Sequence, residues 1–152
     1  MLFVMFQLGA DRYLLDARCV AEVLPYVGIK LIPQALPAIA GVCNYRGAPV
    51  PVIDLNQMMC NRPAQQRFST RIVLVHYGLP DGGTRLLGLI AERVKETIKR
   101  DANEFAEAGV GSVAAPYLGP VVADANGLLQ WIHVDKLLPD AIRALLFAEA
   151  AA

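Results

Sequence analysis

Apolar and β-branched residues come in short runs along this chain, separated by clusters of Gly, Pro and Asp. Leu2–Leu8 is one such run; Gly9-Ala10-Asp11 reads as a turn and Arg12–Leu15 as the returning strand. Ala17–Leu24 admits two readings: Val20, Val23 and Leu24 fit one helical face, while Val20, Glu22 and Leu24 alternate. A short helix or turn leading into a strand near Val23–Ile32 is expected there. Pro33 and Pro37 then force an irregular connection, because proline fixes φ and restricts the residue before it. Gly41–Tyr45 and Pro49–Ile53 are the next strands, joined by Arg46-Gly47-Ala48, where Gly47 can take the positive φ of a turn. Asp54 can cap a short helix over Leu55–Cys60 by accepting from its first free amides.

The polar, proline-containing segment Asn61–Gln66 marks a linker between two halves of a single domain spanning 1–152. Thr70–Tyr77 carries the strongest strand pattern, and Gly78–Thr84 is a hairpin loop from which Arg85–Ile98 returns as one long or bent strand. Lys99–Ser112 turns polar and then Gly-rich, the composition of a mobile loop. Pro116–Ala123 and Leu128–Val134 flank Asp124-Ala125-Asn126-Gly127, and Asn126-Gly127 signals a tight turn with two positive φ angles. Asp135–Leu138 starts a helical turn, and Pro139–Ala152 reads as a closing helix with Ile142, Leu145 and Leu146 on one side. Roughly ten short strands with few helices predict an all-β fold with minor α content, a barrel or sandwich rather than a βαβ sheet.

Composition narrows the function. With 14 Lys plus Arg against 14 Asp plus Glu, the chain lacks the basic excess of a phosphate-backbone binder, so nucleic acid is not an expected partner. The uncharged stretches Leu31–Tyr45 and Ala108–Ala123 are broken by Pro and Gly, which argues against membrane insertion. The N-terminus has no basic leader and reads as a strand, so a cytosolic protein is expected. Cys19, Cys43 and Cys60 form no CxxC pair and read as reduced, mostly packed thiols.

Catalytic signatures are missing. Ser112 lacks the glycine frame of a nucleophile elbow, and His76 and His133 sit in apolar strand contexts. There is no HxxxH, HExxH or paired CxxC spacing, and Gly109–Gly111 lacks the third glycine of a dinucleotide fingerprint. Glu92, Glu96, Asp101, Glu104 and Glu107 spread over a polar face. No catalytic, cofactor-binding or metal-binding residue is assigned. A Cys–His pair assembled in three dimensions, a barrel module binding peptides along an open sheet edge, and a regulatory domain cut from a larger kinase are the competing readings. The Met1 start and alanine-rich end speak against the last.

The most distinctive stretch is Ile39–Leu55. A short strand ends at Asn44, and Arg46 precedes a glycine turn. A strand flanked by Pro49 and Pro51 follows, whose prolines cannot donate ladder hydrogen bonds and favour an edge. This presents a planar guanidinium, suited to several hydrogen bonds, at a rigid turn beside an apolar wall; an ordinary surface arginine in a hairpin has the same pattern.

The segments Gly41-Val42-Cys43-Asn44-Tyr45-Arg46-Gly47 and Pro51-Val52-Ile53-Asp54-Leu55 resemble the signature of the CheW family. Phe6-Gln7-Leu8-Gly9 with Tyr13 and Asp16, Val20-Ala21-Glu22-Val23-Leu24, Leu87-Gly88-Leu89 with Val94, and Trp131–Leu138 extend the resemblance over about Leu2 to Leu146. It implies two intertwined five-stranded SH3-like barrels around a shared apolar core, with no enzymatic activity and no cofactor. It also implies an adaptor at membrane-associated receptor arrays that binds the regulatory domain of a CheA-type histidine kinase and the cytoplasmic tip of chemoreceptors. By position, Arg46 falls on a receptor-coupling position and Val20 and Glu22 on first-lobe partner contacts, and Asn44, Tyr45 and Gly47 are expected to join them as partner-binding residues. Tyr45 replaces the usual Leu, Arg93 stands where Gly is frequent, and Arg71 and Thr97 occupy positions that are often apolar. Such changes can discriminate partners, and they raise the expectation of a surface-sensing or type IV pilus system rather than flagellar chemotaxis.

Overall fold

The computed structural model describes residues 1–26, 28–108 and 115–147. Eleven strands are found among them: β1 (Leu2–Leu8), β2 (Asp11–Asp16), β3 (Val20–Pro25), β4 (Ile29–Lys30), β5 (Ile39–Tyr45), β6 (Ala48–Asp54), β7 (Arg71–Gly78), β8 (Thr84–Ala91), β9 (Thr97–Lys99), β10 (Leu118–Asp124) and β11 (Gly127–Ile132). Helices α1 (Leu55–Cys60) and α2 (Asp140–Leu146) are short, and single 3-10 turns cover Ala17–Cys19, Ala102–Glu104 and Val134–Lys136.

The strands form a five-stranded sheet, β10-β11-β2-β1-β9, and a six-stranded sheet, β3-β7-β8-β6-β5-β4. β2 with β11 and β6 with β8 are the parallel pairs; the other pairs are antiparallel. The chain starts in the first sheet, crosses to the second at the Ala17–Cys19 turn, and returns after β8. Residues 61–66 lie within the 61–70 connection from α1 to β7, and the strands on both sides of it, β6 and β7, lie in the six-stranded sheet.

Alternation explains how such apolar strands stay in register. In β7, Ile72 and Leu74 point into a small core with Val50, Val52 and Ile90, while Val73, Val75 and Tyr77 point the other way. In β1, Phe3 joins Leu14, Val122 and Leu129, while Val4, Phe6 and Leu8 turn to the opposite face. Each sheet therefore curls around a core of its own and lays its other face on a third, central core shared by both. A strand buried on both faces reads as a continuous apolar run, which is why Thr70–Tyr77 shows little alternation. A backbone bridge between Ala106 and Val121 brings the segment after β9 onto β10 and closes the first barrel (2.8 and 2.9 Å).

Several expectations change. The strand foreseen near Val23–Ile32 is two strands: β3 starts at Val20 and ends at Pro25, and β4 keeps only Ile29–Lys30. The single strand over Arg85–Ile98 breaks at residues 92–96 and feeds both sheets, with Arg93 in the left-handed region at φ +50. Glycine is the residue that adopts this conformation freely, so an arginine here is held in a conformation a glycine would take without strain. In the last hairpin Asp124 pairs with Gly127, so Ala125-Asn126 fills the turn; Gly127 alone of Asn126-Gly127 has positive φ, and the Asp124 carboxylate accepts from the Asn126 amide at 2.8 Å. Helix α2 ends at Leu146 rather than Ala152, Leu145 is exposed, and Phe147 stacks on Tyr77 in place of a third helical contact. Residues 148–152 of that expected helix lie outside the described residues, as does the 109–112 part of the expected mobile loop. The thiols are one half-buried, one buried and one exposed, so Cys60 is not packed.

Candidate functional site

β5 and β6 meet at Tyr45↔Ala48, leaving Arg46-Gly47 as a two-residue turn with φ +52 and +85. Two positive φ angles define the hairpin turn whose twist matches its strands. Asn44 fixes it, its Oδ1 accepting the Gly47 amide at 2.8 Å. The asparagine and glycine of the motif thus hold the turn, and the arginine is what the turn displays. Arg46 is exposed, and its guanidinium carbon lies 5.0 Å from the Tyr45 ring centroid, a cation–π contact that orients it.

Tyr45 connects the turn to β3. The Glu22 carboxylate lies close enough to the Tyr45 hydroxyl to push its pKa above the ordinary value. Asn44, Tyr45, Arg46 and Gly47 therefore form one cluster with Glu22. Val20 stands apart from it. A register shift between Val20 and Glu22 interrupts β3, and Val20 is half-buried against the central core, whereas Leu24 packs into the core of the six-stranded barrel. Its neighbour Val23 is 40% exposed and presents more apolar surface from β3 than Val20 does.

Gly41 sets the geometry behind the turn. A Cβ there would meet the Lys30 carbonyl oxygen at 2.1 Å, so β4 packs closely only on glycine. The connection from β4 to β5 is irregular, as Pro33 and Pro37 require, and leaves Leu31, Ile32 and Leu36 exposed. Phe68, 98% exposed between Arg67 and Arg71, adds an aromatic side chain that the sequence reading passed over. The only signal for it was an isolated aromatic in the polar run Gln65–Thr70.

A separate apolar cavity of about 400 Å³ opens between Ala38, Ile53 and Met58 on one side and Tyr117, Leu137 and Ile142 on the other. Arg46 does not line it. The fold also brings Cys19, His76 and His133 to one shallow depression with Asp16 and Asp135. That grouping does not make a nucleophile: burial pushes the Cys19 thiol up, and a reactive cysteine requires the opposite shift. No group of three or more metal-ligating side chains in binding geometry occurs among the described residues. Among the same residues, no helix is long and apolar enough to cross a membrane.

A profile of the CheW-like domain matches residues 2–141. The chemotaxis protein CheW of Klebsiella aerogenes is 29% identical over 150 residues, covering 95% of this chain and 85% of the relative. The crystal structure of the scaffolding protein TtCheW from Thermoanaerobacter tengcongensis superposes with a TM-score of 0.73 at 28% identity, covering 86% of this chain and 82% of that one. With the motif residues building the turn and the domain match running through both sheets, this chain belongs to the CheW-like family.

Proposed function

We propose that the protein is a non-enzymatic adaptor that couples chemoreceptors to a CheA-type histidine kinase in a chemosensory complex. The observation that carries this reading is the domain match over residues 2–141, which takes in both barrels rather than an isolated motif. The rigid Asn44–Gly47 turn supports it, because an exposed guanidinium held at a fixed turn recognises carboxylates or carbonyls with little ordering on binding.

Within that reading, the single domain consists of two barrel lobes. The six-stranded lobe docks the regulatory domain of the kinase through Val23, Glu22 and the neighbouring part of β3, with Val20 supporting from beneath. The receptor's cytoplasmic tip engages the Arg46 turn, and the apolar cavity between Ile53 and Leu137 offers further burial at the junction of the lobes. The protein works in the cytoplasm at receptor arrays, where many modest interfaces gain strength by multivalency. Coupling then requires that binding at one face favour one of two states at the other.

Calorimetric titration with the isolated regulatory domain of the kinase, and separately with a soluble receptor-tip fragment, tests this. Binding of both, with Arg46→Ala weakening the receptor arm and Val23→Lys the kinase arm, is the expected result. A well-folded protein that binds neither, yet takes up unrelated extended peptides along β3 or β4 regardless of Arg46, would instead identify a peptide-binding barrel.

A further inference from the structure

The apolar cavity of about 400 Å³ between Ile53 and Leu137 has walls suited to an aliphatic chain. Ile53, Tyr117, Leu137 and Leu138 are buried members of the central core, and Met58 and Ile142 pack against that core; all six line the cavity. Small-molecule sites span about 300–1,000 Å³ and are mostly apolar with a few polar groups. A volume near the lower end suits one medium-length chain rather than a polycyclic or two-tailed ligand. Methionine is unbranched and adapts its shape to what it packs against, so Met58 can follow chains of slightly different length.

The backbone holds these walls in place. The Lys136 and Leu137 amides donate to the His133 and Val134 carbonyls, each at 3.1 Å, and the Arg143 amide donates to the Pro139 carbonyl at 2.9 Å. Pro116 and Pro139 also line the cavity, and their fixed φ limits how far the chain can close on it. Among the described residues that line it, Lys136 alone carries a charge, since burial pushes the Tyr117 phenol up and keeps it neutral. Lys136 is exposed and has no ion pair within 4.0 Å among the described residues. Its acidic neighbours are engaged elsewhere: Asp135 lines the depression beside Cys19, and Asp140 pairs with Arg143 at 2.7 Å. An apolar pocket with one unmatched cation in its wall is the complement of an aliphatic anion.

We propose that this cavity binds a medium-chain aliphatic carboxylate, with its chain among Ile53, Met58, Leu137 and Ile142 and its carboxylate turned to Lys136. Burial of the chain supplies the affinity, and the ammonium decides which end of the ligand stays near water. A lysine suits this task, because a compact charge on a flexible stem meets a carboxylate without a planar match. The assignment does not rest on the adaptor reading, which uses the cavity only as added burial for the receptor tip. Titration with the receptor fragment tests that reading separately; where both hold, the two occupants compete.

Amide chemical shifts of the full chain, titrated with octanoate, octanol and octylammonium at matched ionic strength, test the assignment. Saturable shifts at Ala38, Met58, Leu137 and Ile142 are expected, with octanoate about threefold to fivefold tighter than octanol and octylammonium the weakest. Lys136→Gln alters an exposed side chain and should keep the fold, yet bring octanoate down to the affinity of octanol. Ile142→Trp fills the cavity from α2 and should weaken octanoate and octanol alike, by at least about tenfold. Should that larger side chain unsettle the fold, the Lys136→Gln comparison still decides the matter. No saturable response, octanol or octylammonium binding as tightly as octanoate, or an unchanged preference for octanoate in Lys136→Gln would overturn the proposal.

Discussion

The two barrels are built to different ends. The five-stranded one is closed and aromatic: Phe3, Phe105 and Trp131 meet with ring centroids 5.0–5.4 Å apart, and a bidentate Arg12–Asp124 pair pins its last hairpin at 2.8 and 2.5 Å. The six-stranded one has an aliphatic core of Val50, Val52, Ile72, Leu74 and Ile90, and among the described residues its outer strands β3 and β4 have a strand partner on one side only. Around those edges lie the exposed Val23, Leu31, Ile32, Leu36 and Phe68, together with the Arg46 turn. Unpaired edges and apolar surface are liabilities in a monomer. Five of the eight large apolar side chains exposed among the described residues lie on this barrel, which makes it the proposed binding half and its neighbour the proposed support.

The largest effect should come from the supporting barrel. Phe3→Ala removes a fully buried ring touching Phe105 and Trp131, and should lower the unfolding free energy by about 3–5 kcal/mol. Because both sheets share the central core, denaturant melting should remain one transition, with the fluorescence of Trp131 and the far-UV signal moving together. Separate transitions would show that the barrels fold as independent units, and the supporting role would be wrong.

Gly41→Ala comes next. Its Cβ would sit 2.1 Å from the Lys30 carbonyl oxygen, so β4 must leave β5 or the chain must shift, at about 2–3 kcal/mol. Hydrogen exchange should quicken in β4 and β5 while β1 and β2 keep their protection. Uniform loss of protection in both barrels would erase the proposed difference between them.

Sequence reached the turn itself but not its setting. Asn44, Gly47 and Asp54 have local jobs, filling turn and cap geometry within three residues, and such jobs leave a signature in sequence. The Glu22–Tyr45 contact and the crossing of the chain between sheets depend on partners far along the chain. The break at residues 92–96 was hidden because Arg, unlike Gly, does not advertise a left-handed φ. The Asn126-Gly127 turn was placed one residue late because Asp124, by accepting the Asn126 amide, stabilises a turn centred on Ala125-Asn126. Val20 fitted the alternating pattern, but the register shift before Glu22 lays it on the central core.

Arg46→Ala isolates the binding half without disturbing the fold. The side chain is exposed and the turn is held by Asn44 and Gly47, so stability should change by less than about 0.5 kcal/mol. Receptor-fragment affinity should fall about tenfold or more, the usual range when a positioned arginine is removed. Arg46→Lys should recover little of it, because an ammonium lacks the planar fork. Full rescue by lysine would show that charge alone, not the fixed turn, makes the contact.

The smallest effect is electrostatic and belongs to the supporting barrel. Hydrogen bonds from Arg12, joined by the Asn126 amide, hold the Asp124 carboxyl down at about 2, against an ordinary value of 3.8. A carboxyl whose pKa is lower in the folded state contributes stability that is complete above the unfolded value and disappears as pH falls through the folded one. Asp124→Asn should therefore destabilise by about 1 kcal/mol or less at neutral pH, as expected for a well-formed pair near the surface. The gap between parent and variant should hold down to about pH 4 and close toward pH 2. Asp16 is shifted in the same direction: burial opposes its ionisation, but bonds from Arg18 outweigh that. It is present in both proteins, so it cancels from their difference and leaves the Arg12–Asp124 pair as the cause. A gap that persists unchanged at pH 2 would mean that the carboxylate's charge is irrelevant, and that the last hairpin is held by its turn geometry alone.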